Sequence, residues 1–157
     1  MSEKSITKQF YKAFEQLDAM VMTACYHDEI VFEDPAFGRL EGDRARAMWT
    51  MLCQNAKDLE VQYEILEEDD RKASVKWEAV YTFDKTGRKV HNIVVADLTL
   101  EDGKIIQHTD RFKLWKWAGQ AMGLSGHILG GTTFFKKRLQ QQTNRLLDKF
   151  ITANEKV

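Results

Sequence analysis

The sequence predicts an α+β fold: a curved antiparallel sheet shaped as a cone, closed by N-terminal helices and extended by a C-terminal helical segment. Three observations predict it. Ile6, Phe10, Ala13, Phe14 and Leu17 recur every three or four residues, the apolar stripe of an amphipathic helix. Val75, Trp77, Ala79, Tyr81 and Phe83 alternate with Lys76, Glu78 and Thr82, the period of a half-buried strand. Strand-like runs cluster in the middle of the chain and helical runs at its ends, and such segregation marks α+β architecture.

Taken in order, the first helix covers the stripe from Ile6 to Leu17. Asp18 caps a short second helix with Met20, Val21, Ala24 and Cys25. Tyr26 to Phe32 has strand character, and Pro35, Gly38 and Gly42 read as a loop. A third helix starts at Asp43, with Ala47, Met48, Met51 and Leu52 on one face. Leu59 to Leu66 is the next strand, Glu67 to Arg71 a charged turn and Lys85-Thr86-Gly87 another. Val90 to Leu100 has little polar alternation, so both its faces are expected to be covered. Asp102-Gly103 is a hairpin turn, and Ile105 to Leu114 the last strand. Lys113 to Met122 and Phe134 to Phe150 read as helices. The expected division is a cone domain over 1–113 and a helical extension over 114–157 packed on the same domain.

The 157 residues suit one domain with one core. An apolar fraction of 43% and a net charge of -1 exclude a disordered chain and argue against nucleic acid as partner. No apolar run reaches the roughly 18–20 residues of a membrane span, so no membrane partner is expected. Met1 to Gln9 is polar and mixed in charge, unlike a secretory signal. Cys25 and Cys53 lie apart among apolar neighbours, as buried free thiols do. A cytoplasmic protein is expected.

The run from Tyr26 to Pro35, with Gly38 and Gly42 behind it, resembles the nuclear transport factor 2-like superfamily. So do the helix around Phe10-Tyr11-Lys12-Ala13-Phe14 and the strand from Lys104 to Phe112. Within that superfamily the chain is similar to SnoaL-like polyketide cyclases and ketosteroid isomerase-like proteins, over about residues 6–113. The resemblance implies a cone with an apolar pocket and a homodimer formed through the outer face of the sheet, where Ile93 and Val95 point.

It also implies site residues. Glu33-Asp34-Pro35 matches the isomerase's proton-shuttling aspartate, which places Asp34 at the mouth of the cone. The isomerase's oxyanion pair, a tyrosine and a protonated aspartic acid, falls at Phe10 and about Ala96, neither of which can donate through its side chain. Tyr11 and Asp97 are one residue off and should point elsewhere, so steroid isomerisation by that mechanism is not expected. In SnoaL-like cyclases an aspartate on the last strand is the acid/base group. By resemblance Asp110 takes that role, with His108 beside it on the same face of the strand.

Tyr26, Asn92, Phe112, Phe10 and Trp77 are the candidate substrate-binding residues. Tyr26 and Tyr81 also read as core aromatics with hydroxyls reaching water, and His91 as a surface histidine. A metal set of His27, His108 and Asp110 is imaginable, but it lacks zinc-like spacing, and neither metal nor cofactor is expected. Three functions stay open. One is a cofactor-independent acid/base enzyme (isomerase, cyclase or hydrolase type) on a small apolar carbonyl compound. The others are a non-catalytic binder of a small hydrophobic molecule and a dimerisation scaffold with a filled cavity. The first two need a pocket of roughly 300 Å3 or more reaching Asp110.

Overall fold

Helix α1 spans Ile6–Glu15, and Ser5 caps it by accepting the Lys8 amide at 3.0 Å. It stops before Leu17, which was expected to continue the stripe. Leu17 instead takes a left-handed φ of 55° and turns the chain into α2, Ala19–Ala24. Asp18 caps α2 as its position predicts, accepting from the Val21 amide. There follow β1 (Tyr26–Asp34), β2 (Gly38–Glu41), α3 (Asp43–Asn55), β3 (Glu60–Glu68), β4 (Lys72–Phe83), β5 (Arg88–Glu101) and β6 (Lys104–Arg111). The tail holds α4 (Leu114–Met122), α5 (Leu124–Leu129) and α6 (Thr133–Glu155). This computed structural model describes residues 5–155.

The six strands form one open sheet in the order β2-β1-β6-β5-β4-β3. It is mixed: β1 runs parallel to β6, and the other neighbours are antiparallel. The β1–β6, β3–β4 and β5–β6 pairs carry register shifts, the kind of irregularity that bends a strand and sharpens its twist. Residues 38–41, read as loop, are the edge strand β2. Gly38 and Gly42 take positive φ at its two corners and so delimit it.

Helices α1 and α3 cover the concave face. Phe10, Phe14, Met48 and Trp49 meet Phe32, Val75, Trp77 and Leu98 in a single core. Full burial of each such side chain stabilises by about 1.5–3 kcal/mol. The even positions of β5, Val90, Val94, Ala96 and Leu98, are buried. Its outer face is not covered as expected, and Ile93 is 51% exposed there. Cys25 is buried and Cys53 partly so, and both are free.

The tail folds back over the sheet. Trp117, Ala118, Ala121, Val90 and Leu139 make a second cluster. The short helix α5, unmarked by sequence pattern, crosses α4 at Gly126. A Cβ there would lie 2.1 Å from the Ala118 carbonyl oxygen. Helix α6 then fastens the turn after β1. Gln140 donates to the Pro35 carbonyl, Thr143 to that of Ala36 and Asn144 to that of Phe37, at 3.1, 2.8 and 2.9 Å. Arg44 of α3 pairs with Asp148 at 2.6 Å.

Candidate active site

The alternation of β6 turns His108 and Asp110 inward, where they are 0% and 3% exposed. His108 Nε2 lies 2.9 Å from Asp110 Oδ1, so the pair bonds directly. His108 Nδ1 lies 2.8 Å from the Tyr26 hydroxyl, which accepts the Trp49 indole N–H at 2.7 Å. The Trp77 indole N–H reaches Asp110 Oδ1 at 3.3 Å. An indole can only donate. Trp49 therefore donates to the Tyr26 oxygen. An ionised Asp110 can only accept and so draws the His108 proton to Nε2, and the neutral ring then accepts from the Tyr26 hydroxyl at Nδ1. The chain of donors has one direction, and Asp110 is its terminus.

Tyr26 reads as a substrate contact or as a core aromatic whose hydroxyl reaches water; burial keeps the hydroxyl from water and holds it inside this chain, with its pKa well above the ordinary tyrosine value. Trp49, buried on α3, is the chain's first donor, and no local pattern marks its hydroxyl partner 23 residues away.

Asp34 ends β1. The register pairs Phe32 with His108 and Glu33 with Thr109, which brings Asp34 level with Asp110 on the neighbouring strand. Its Oδ1 accepts the amides of Ala36 and Phe37 at 3.0 and 2.6 Å. Burial, helped by the charge of Asp110, pushes its carboxyl up to about 7, against the opposing pull of those two amides. Asp34 thus fastens the turn through its Oδ1 while its carboxyl titrates above the ordinary range.

Tyr11 was set aside as one residue out of place. It is fully buried, and its hydroxyl has no hydrogen-bond partner among the described residues. Burial, then the charge of Asp110, raise its pKa well above the ordinary value. Phe10 stacks on Tyr26 at 5.4 Å and meets the His108 ring edge-on at 5.5 Å. Helix α1 lies close enough to the sheet for both neighbours to face inward. Asp97 does point outward, where it pairs with Arg111, while Ala96 lies opposite Asp110.

Trp77 touches the site through Asp110, and Phe112 is half-buried beyond the end of β6. Asn92 shares the inner parity of β5 but pairs with Ala79, four residues from Ala96. That is about 13 Å along the strand, so the structure does not bring it to the carboxylates. The Tyr81 hydroxyl accepts the Trp117 indole, and His91 sits on the surface beside Glu78.

The imagined metal set is not assembled. His27 Nε2 faces Glu101 and Asp102 at 4.0 and 3.6 Å. Those three could surround an ion by spacing alone. However, His27 Nδ1 accepts the Glu29 amide, which keeps the proton of a neutral ring on Nε2, where a metal would have to bind. Two surface cavities, of about 450 and 730 Å3, are lined by tail residues and by the α1–α2 corner. Neither is lined by Asp34, His108 or Asp110.

An open mixed sheet packed on helices, with polar groups turned inward, is a cone-like fold shared with nuclear transport factor 2-like structures. The SnoaL-like domain family matches residues 7–108, and the chain belongs to it. Among solved structures it is similar to an epoxide hydrolase of the LEH-like kind from M. tuberculosis. That match has 18% identity and a TM-score of 0.59, over 79% of this chain and 92% of the other. A candidate polyketide cyclase from Xanthomonas campestris matches with 20% identity and a TM-score of 0.60, over 73% and 93%. A protein of ketosteroid isomerase-like fold from Catenulispora acidiphila, in complex with trimethylamine, matches with 10% identity and a TM-score of 0.64, over 76% and 94%. No curated protein matches.

Proposed function

We propose that this SnoaL-like chain is a cofactor-independent acid/base enzyme acting on a small, largely apolar carbonyl compound. The observation that carries the reading is a carboxyl poised near neutrality, Asp34, level with a second carboxyl that terminates a chain of donors. A group that exchanges protons near pH 7 is what general acid/base catalysis needs. Asp34 moves the proton. Burial, helped by the charge of Asp110, keeps Asp34 partly protonated, and His108 and Trp77 hold Asp110 Oδ1 in place. The unpartnered Tyr11 hydroxyl donates to the substrate oxygen. The epoxide hydrolase, cyclase and isomerase-like neighbours give precedent for small-molecule chemistry on this fold.

Two observations favour the filled scaffold as a second reading, the first being that neither described cavity reaches Asp34, His108 or Asp110, as an enzyme or a binder requires. The His108 ring is wholly buried among Phe10, Tyr26, Phe32 and Trp49, with centroids 5.1 to 6.0 Å away. In either reading, pairing of two copies through the outer sheet face would cover Ile93.

The test is mass spectrometry of organic extracts of the purified protein, followed by NMR-monitored turnover of any recovered compound. The enzyme reading expects an apolar carbonyl compound, turned over by the wild type and lost in Asp34→Asn. An extract identical to that of a control protein, together with a gain in stability on replacing His108 and Asp110 by Phe and Leu, would establish the scaffold.

A further inference from the structure

The net charge of -1 conceals a segregation. From Arg111 to Leu147 the sequence has seven Lys and Arg and no Asp or Glu. The other residues hold the remaining 16 cations and all 24 acids, a balance of -8 against +7. This stretch is α4, α5 and most of α6, beyond the residues that match the family.

The same tail gathers exposed apolar side chains. Leu124, Ile128, Leu129 and Phe134 are 75%, 65%, 54% and 71% exposed. Leu124 and Ile128 are four apart on α5 and so share a face. Trp115 lines a groove with Leu124, Lys116 and Arg88, and no acid among the described residues lines it. The backbone at Gly130 closes against Trp115, which brings the α5–α6 turn to the same surface. Cations sit over its aromatics: Lys116 Nζ is 5.7 Å from the Trp115 ring centroid, and Arg138 Cζ 5.7 Å from that of Phe134.

We propose that this tail tip docks on an anionic lipid surface. Leu124, Ile128 and Phe134 enter the boundary between headgroups and acyl chains, and Lys116, Lys136, Lys137 and Arg138 meet the lipid phosphates. The combination of apolar insertion with a polybasic rim is the two-signal arrangement that gives stable surface attachment. Nucleic acid would answer the cations but leave the protruding aliphatic side chains in water. A protein partner would need hollows shaped to them, whereas a bilayer accepts them without a matching cavity. None of the described helices is long and apolar enough to cross a membrane; the contact is one of lying on the surface. It is independent of the proposed chemistry.

The experiment is flotation of the full chain with phosphatidylcholine vesicles, plain or carrying about 30 mol % phosphatidylserine. Binding is expected only to the anionic vesicles. It should fall at least about tenfold in about 0.5 M salt or in Lys136→Gln/Lys137→Gln/Arg138→Gln. It should fall as much in Leu124→Ser/Ile128→Ser/Phe134→Ser, with unchanged thermal unfolding. Tryptophan emission of the wild type, in which Trp115 is the most exposed indole, should shift to the blue on the anionic vesicles and resist iodide quenching. This readout needs no variant. Absence of flotation on both vesicle types would overturn the proposal. So would binding indifferent to the apolar variant, or an apolar variant that only splits a dimer into monomers.

Discussion

Asp34 and Asp110 stand level on adjacent parallel strands, and the charge of one helps to hold the proton of the other. Burial supplies most of that effect, and Asp110 adds to it. The Asp34 carboxyl thus rests about three pH units above its ordinary value of 3.8.

A pH dependence of stability follows. The folded chain keeps a proton on Asp34 that the unfolded chain releases between pH 3.8 and about 7. Because the folded pKa is raised, this contribution is complete below the unfolded value and is lost as pH rises through about 7. Asp34→Asn keeps the acceptor oxygen for the Ala36 and Phe37 amides. Urea denaturation should find the variant within about 0.5 kcal/mol of wild type at pH 4 but about 1–3 kcal/mol more stable at pH 8. Parallel pH curves for the two proteins would show that Asp34 does not titrate as argued.

Tyr11 carries a buried hydroxyl without a partner, a cost that the fold could shed. Tyr11→Phe should leave stability unchanged or raise it by up to about 1 kcal/mol. If turnover of a recovered compound falls with stability intact, the hydroxyl serves the chemistry. A marked loss of stability would mean that it has a partner in solution.

Asp110 receives two donors inside the core. Asp110→Leu strands the His108 and Trp77 N–H groups and should cost about 2–5 kcal/mol in chemical denaturation. Adding His108→Phe to it should recover part of the loss, because the unpaired imidazole is then gone as well. Strictly additive effects would show that the two side chains are not coupled.

Gly126 lets α5 lie on α4. Its Cβ would overlap the Ala118 carbonyl, so Gly126→Ala should cost about 1–3 kcal/mol. Hydrogen exchange should speed up in α4 and α5 first, while β4 and β5 keep their protection.

The order of elements was written in local pattern. The stripe of α1, the alternation of β4, the Asp102-Gly103 turn and the inward parity of His108 and Asp110 all follow from periodicity and turn chemistry, which act over a few residues. β2 and α5 were not legible, because a four-residue strand and a six-residue helix are too short to show a period. Nor could pattern show that β1 lies parallel to β6, since partners are chosen by which apolar surfaces meet after the chain closes. The donor chain from Trp49 through Tyr26 and His108 to Asp110 has links of 23, 82 and 2 positions, and only the last is local. The inward turn of Tyr11 next to an inward Phe10 and the near-neutral carboxyl of Asp34 depend in the same way on packing, because a hydroxyl's partner and a carboxyl's loss of water exist only once distant elements have come together.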